Sequence, residues 1–118
     1  MFAEVKERLT FIEGDEYDAQ IIAQIKTCAL DLTTSAEIVM PGVISITRTY
    51  SVITKEWTIT DNSTVTDDLI ITAIAIWCDM RIGNPPNYEQ LKQAYESLKG
   101  QMRISNSYTH FREAVTTG

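Results

Sequence analysis

The chain has 118 residues, 44% of them hydrophobic and 22% charged, which suits one globular domain able to bury a core without a disulfide or metal staple. Sixteen acids against ten bases leave a net charge of -6. That balance argues against tight binding to a phosphate backbone, where affinity comes from Lys and Arg displacing counterions, but not against an acidic surface that faces DNA without gripping it.

The longest apolar stretch, Leu69 to Cys78, is about half the roughly 20 residues needed to span a bilayer, so a soluble protein is expected. Acids at Glu4 and Glu7 stand where a secretory signal would carry a basic region and an apolar run, and no export signal is expected. Two cysteines, Cys28 and Cys78, fall in separate amphipathic segments. They read as buried free thiols in a reducing compartment, with a disulfide or redox pair as the alternative.

Phe2, Val5, Leu9 and Ile12 recur at helical spacing and predict a short first helix stopped at Glu13-Gly14. Asp15 is placed to cap a second helix, with Glu16 and Asp18 in its first turn and a stripe of Ile21, Ile22, Ile25, Cys28, Ala29 and Leu32. From Val43 to Thr60 the period changes to two. Ile44, Ile46, Tyr50 and Val52 share one face, and Ser45, Thr47, Thr49 and Ser51 the other. The polar spacer Thr54-Lys55-Glu56 before Trp57-Thr58-Ile59-Thr60 predicts a hairpin. A lone hairpin is marginal in water, so it requires packing on the helices or on another copy. Arg48, Tyr50, Lys55 and Trp57 are its candidate contact residues; equally, Tyr50 and Trp57 could close over the domain's own core.

Thr64 or Thr66 is placed to cap a third helix, with Asp67 and Asp68 in its first turn. Leu69, Ile70, Ile71, Ala73, Ile74, Ile76, Trp77 and Met80 cover more than one of its faces, as expected for a helix in the middle of a domain. Gly83 is the expected stop, Asn84-Pro85-Pro86-Asn87 a rigid connection, and Asn87 the cap of a fourth helix striped by Tyr88, Leu91, Tyr95, Leu98 and Met102. The expected fold is mainly α: a bundle of about four helices in residues 1–104, a β insertion at about 43–60, and an extended C-terminal tail at 105–118. Residues 1–99 carry a charge of -7, whereas residues 100–118 carry +1. The cationic, aromatic tail reads either as a segment that orders on an acidic or hydrophobic partner or as a frayed end.

The single His and the absence of a Cys-x-x-Cys spacing argue against a metal cluster. No Gly-rich phosphate loop, Gly-x-Ser-x-Gly elbow or His-Glu-x-x-His motif is present. No catalytic, metal or cofactor residues are expected, and the protein reads as a non-enzyme.

Three segments carry a resemblance. Thr66-Asp67-Asp68-Leu69-Ile70 runs into Ile76-Trp77-Cys78-Asp79-Met80, followed by Gly83-Asn84-Pro85-Pro86-Asn87-Tyr88 and Leu91-Lys92-Gln93-Ala94-Tyr95-Glu96. With the order of elements over residues 1–104, they resemble the head-tail connector (adaptor) family of long-tailed bacteriophages and prophages of Gram-positive hosts, also labelled DNA-packaging proteins. The resemblance implies a structural virion protein. Its copies would form a ring, expected to be dodecameric, between the portal and the stopper or tail, extending the channel for double-stranded DNA without sequence-specific binding. It also implies a virion location at the head-tail interface, with host cytoplasm before assembly, and no membrane. Arg103, Tyr108, His110, Phe111 and Arg112 become portal-side candidates, and Arg48, Tyr50, Lys55 and Trp57 neighbour- or tail-side candidates. Two other readings compete: a small cytosolic dimeric binding or regulatory module whose hairpin adds to a partner sheet, and a terminase-associated factor that binds DNA with steep salt dependence.

Overall fold

The structure, a computed structural model, describes residues 1–10 and 14–105. Its elements run α1 (Phe2–Glu7), α2 (Asp18–Ser35), β1 (Ile46–Ser51), β2 (Glu56–Asp61), α3 (Asp68–Ile82) and α4 (Tyr88–Ile104). The fold is mainly helical, with a two-stranded antiparallel hairpin between the second and third helices. The tail expected at 105–118 lies, Ser105 apart, outside the described residues, as does Ile12 of the first stripe.

α3 is the central rod, packed against α1, α2 and α4. Nine of its fifteen residues are buried, Asp79 among them, so a helix apolar on most of its circumference has found cover on most sides. α2 contributes Ile21, Ile22, Ile25, Cys28 and Leu32 to the core, and α4 contributes Tyr95 and Met102. Burying a core side chain of this kind contributes about 1.5–3 kcal/mol, which makes the three long helices the source of the domain's stability.

Local chemistry differs from the sequence expectation at several helix ends. Asp15 does not cap α2. Tyr17 occupies the cap position, and the Asp15 carboxylate accepts from Lys6 Nζ at 2.6 Å, while Asp18 takes the same ammonium at 2.9 Å. Asp67, not Thr64 or Thr66, caps α3 by accepting from the Ile70 N–H at 3.0 Å. Gly83 ends α3 in right-handed geometry, and the left-handed residue is Asn84, at φ 45°, a conformation that Asn tolerates better than other side chains. Asn87 stands at the cap position of α4 without a side-chain capping bond.

A seam of polar contacts anchors α1. Asp61 at the end of β2 accepts from the Phe2 N–H at 2.6 Å and from the Met1 ammonium at 2.8 Å. Arg8 reaches Asp68 and Thr72 on α3, and the buried Asp79 carboxylate accepts from the Thr10 N–H through both oxygens at 3.1 Å. Gly42 marks the entry to the hairpin: a Cβ there would stand 2.7 Å from Thr64 Oγ1, the hydroxyl that accepts from the Val43 N–H at 2.8 Å.

Candidate functional site

The two strands pair without a break, Ile46 opposite Asp61, Arg48 opposite Ile59 and Tyr50 opposite Trp57. Strand alternation therefore puts Ile46, Arg48, Tyr50, Trp57, Ile59 and Asp61 on one face and Thr47, Thr49, Ser51, Glu56, Thr58 and Thr60 on the other. Only Ile46 of the twelve is buried, at 1% exposure, and Ile59 is half-buried. The hairpin thus stands on the body by its base. Its far half is wet.

At that far half, the structure brings three of the four hairpin candidates together. The Arg48 guanidinium lies 3.8 Å from the Trp57 ring centroid, within cation–π range, and Tyr50 meets Trp57 at 5.1 Å with the rings tilted by 56°. Trp57 is 55% exposed and Tyr50 47%, so of the two sequence readings the open surface is the one found. Lys55 sits apart, at the turn, at φ 59°, where its N–H donates to the Ser51 carbonyl at 2.8 Å. The same turn exposes Val52 by 80% and Ile53 by 89%. Sequence reasoning missed both, although two adjacent β-branched residues between polar spacers were a readable signal.

A notch of about 440 Å³ runs beneath the stack, lined by Arg48, Trp57 and Ile59 on the hairpin and by Asp15, Glu16 and Asp18 before and at the start of α2. Lys6 offsets part of the acidic wall. Its hydrogen bonds to Asp15 and Asp18 raise its own pKa, and the Asp15 carboxyl is held low in return by the Lys6 bond.

The portal-side candidates are only partly in view. Arg103 is exposed on the last turn of α4, beside a cleft of about 150 Å³ formed with Ser35, Ala36, Glu96, Lys99 and Gly100. Tyr108, His110, Phe111 and Arg112 lie outside the described residues.

Inside the bundle a second polar cluster ties α2 to α4. Tyr95, 2% exposed, donates its hydroxyl to Asp31 Oδ2 at 2.6 Å, and Lys99 Nζ donates to the same oxygen at 3.2 Å. Cys28 Sγ lies 3.6 Å from the Tyr95 hydroxyl. Burial pushes the Cys28 thiol up to about 12 and raises Tyr95 and Cys78 as well, so neither thiol ionises near neutral pH, and thiolate chemistry requires ionisation. Both cysteines are free and buried. Among the described residues no group of three or more His, Cys, Asp or Glu side chains is placed to hold a metal ion, and no helix is long and apolar enough to cross a membrane.

The chain matches no family model, no curated protein and no solved structure.

Proposed function

We propose that this protein is a structural connector of a phage virion, whose copies form a ring between the portal and the stopper or tail and extend the DNA channel. The observation that carries the reading is the hairpin. It projects a stacked Arg48, Trp57 and Tyr50 and an apolar Val52-Ile53 tip from a stable helical body. Arg, Trp and Tyr are the residue types that dominate binding energy at protein interfaces, and a stack formed in advance lowers the entropy cost of docking. The resemblance of residues 1–104 to the connector family supports the same reading.

The remaining parts have roles that follow from charge. Residues 1–99 carry -7, and acidic walls let DNA slide because repulsion removes the counterion-release attraction that would stall it. Arg103, at the exposed end of α4, leads into the segment with Tyr108, His110, Phe111 and Arg112, which docks on the portal. No step of this function needs a catalytic group or cofactor.

Full-length protein mixed with its purified portal and imaged by negative stain is expected to show rings. Removal of residues 105–118 is expected to abolish attachment to the portal in a pull-down. A chain that stays monomeric by light scattering at every concentration, with portal present, overturns the proposal. A fixed dimer without rings would favour the small binding module, and a DNA gel shift with steep salt dependence the packaging factor.

A further inference from the structure

The hairpin leaves hydrogen-bonding groups unused along both edges. The Asn62 N–H donates to the Ser45 carbonyl at 2.8 Å, and this residue pair directly precedes the Ile46–Asp61 pair in the register. Hydrogen-bonded and non-hydrogen-bonded pairs alternate along an antiparallel ladder. Thr47–Thr60, Thr49–Thr58 and Ser51–Glu56 are therefore the hydrogen-bonded pairs, and Arg48–Ile59 and Tyr50–Trp57 are not. The backbone N–H and C=O groups of Arg48 and Tyr50 consequently point out along the edge of β1, and those of Trp57 and Ile59 along the edge of β2. Among the described residues, none of these four N–H groups meets an acceptor.

Monomeric proteins usually blunt such edges with Pro, Lys, a bulge or a covering element. Neither strand contains Pro or Lys, and the register passes through six consecutive pairs without a bulge. The sequence of β2, Glu-Trp-Thr-Ile-Thr-Asp, is rich in residues that favour strands, and Glu56, Trp57, Thr58 and Thr60 are exposed.

Charge selects what pairs with what. The only charged residue of β1 is Arg48, and those of β2 are Glu56 and Asp61. Joining β2 to β2 of a second copy would bring four carboxylates onto neighbouring strands, and joining β1 to β1 would bring two guanidinium groups together. Joining β2 to β1 puts opposite charges on adjacent strands, and cross-strand pairs of opposite charge are favourable while like pairs are not.

We propose that the outer edge of β2 pairs with the outer edge of β1 from a second copy of this chain, so that hairpins join into one continuous antiparallel sheet. The contact is heterologous: each copy offers one edge and receives the other, a geometry that generates rings when the rotation closes. In that respect the inference rests on the ring-forming function proposed above and specifies the contact that builds the ring. Rotation about a ring axis keeps every β1 running one way and every β2 the other. Neighbouring strands are then antiparallel throughout, and closure gives a β-barrel with no edge left over. The face carrying Thr47, Thr49, Ser51, Thr58 and Thr60 would form a band of hydroxyls on one side of that barrel.

The test uses full-length chains with the buried Cys28 and Cys78 left in place. One chain carries Thr49→Cys on β1 and the other Thr58→Cys on β2; they are mixed in equal amounts and oxidised with copper-phenanthroline. A parallel mixture of Thr49→Cys and Thr60→Cys chains covers a register shifted by two residues, the one that sets Arg48 opposite Asp61. The expected result is that the mixed disulfide exceeds either homodimer several-fold in at least one mixture. A dominant T58C or T60C homodimer, or statistical yields in both mixtures, overturns the proposal. Tyr50→Pro removes an outward N–H while sparing the internal ladder. In the T49C background it is expected to cut the mixed cross-link at least tenfold with the helical circular dichroism unchanged, and Tyr50→Ala is expected to retain most of it. Equal losses from Pro and Ala would assign the contact to the side chain and overturn edge pairing. Rings in micrographs without the mixed cross-link overturn this inference alone. The mixed cross-link without rings supports edge pairing and overturns the ring function.

Discussion

Two Trp–Tyr pairs, each with an Arg over its indole, stand at opposite ends of the burial scale. On α3 and α4, Trp77 and Tyr95 meet at 5.3 Å and 55°, with Arg81 4.2 Å from the Trp77 centroid. On the hairpin, Tyr50 and Trp57 meet at 5.1 Å and 56°, with Arg48 3.8 Å from the Trp57 centroid. The geometry is nearly shared, and the surroundings are not. Trp77 is 7% exposed and donates its indole N–H to Gln24 at 2.9 Å, and Tyr95 donates to Asp31. Trp57 and Tyr50 are roughly half exposed, and no protein acceptor for their polar groups is found among the described residues. The inner Trp–Tyr pair has its polar groups satisfied within the domain and serves stability. The outer one keeps its area and hydrogen-bonding capacity for a partner.

The sharpest way to break this contrast is to truncate both clusters. Trp77→Ala or Tyr95→Ala is expected to cost ~3–5 kcal/mol in urea unfolding, whereas Trp57→Ala or Tyr50→Ala should cost under ~1 kcal/mol, the range of an exposed cross-strand pair. For self-association the order should reverse: sedimentation at high concentration is expected to show Trp57→Ala impaired and Tyr50→Ala close to the parent chain, with the two core variants self-associating as long as they stay folded. Equal destabilisation by Trp57→Ala would mean that the outer stack is part of the core.

A smaller effect is expected at Asp79, whose buried carboxylate holds the Thr10 N–H. Asp79→Ala hands that donor, on the exposed Thr10, to water and should cost ~1 kcal/mol, read by thermal melting, with hydrogen exchange at Thr10 accelerated. Tyr95→Phe, which keeps the ring but removes the bond to Asp31, should cost ~1 kcal/mol. That separates the packing of the inner cluster from its polar contact.

The pH dependence probes the base of the hairpin. Burial alone would raise the Asp61 carboxyl, but hydrogen bonds from the Met1 ammonium, Ser63 and the Phe2 N–H outweigh it and hold the group well below the usual carboxylate range. A carboxyl depressed by folding stabilises above its unfolded pKa of about 4, and that contribution is lost as the pH falls toward the folded value. Asp61→Asn should therefore lower Tm at pH 7, with the gap to the parent chain closing below about pH 4. A gap independent of pH would remove the charge of Asp61 from the account. The smallest signal is chemical: with Cys28 pushed up to about 12 and Cys78 also raised by burial, neither thiol should react with a thiol reagent at pH 8 until the domain is unfolded.

Much of the fold was legible because periodicity reports burial directly. Ile21, Ile22, Ile25, Cys28 and Leu32 are buried on α2, and Tyr95 and Met102 on α4, as the helical stripes require. The change to a period of two located the hairpin between α2 and α3. Helix ends were less legible, because several residues near each end can cap and the choice depends on competing contacts. Thr64 was unavailable once its hydroxyl accepted from Val43, and Asp15 once its carboxylate met Lys6. At the candidate site, alternation already put Tyr50 on one face of the strand, but not what that face meets. Val52 was placed on a strand face and Ile53 given no role, neither being read as an apolar tip, because hydropathy alone does not say where a hairpin turns.

The sequence by itself determined the helical body, the inserted hairpin, the acidic charge and the identity of the apolar stripes, since these depend on spacing along the chain. Only the tertiary structure decided that Trp77 and Tyr95 lie inside while Trp57 and Tyr50 lie outside. A residue's exposure depends on what packs against its face from elsewhere in the chain. α3 is covered on most sides by other helices, whereas the far half of the hairpin is left open to solvent, with Tyr50, Val52, Ile53 and Trp57 all exposed.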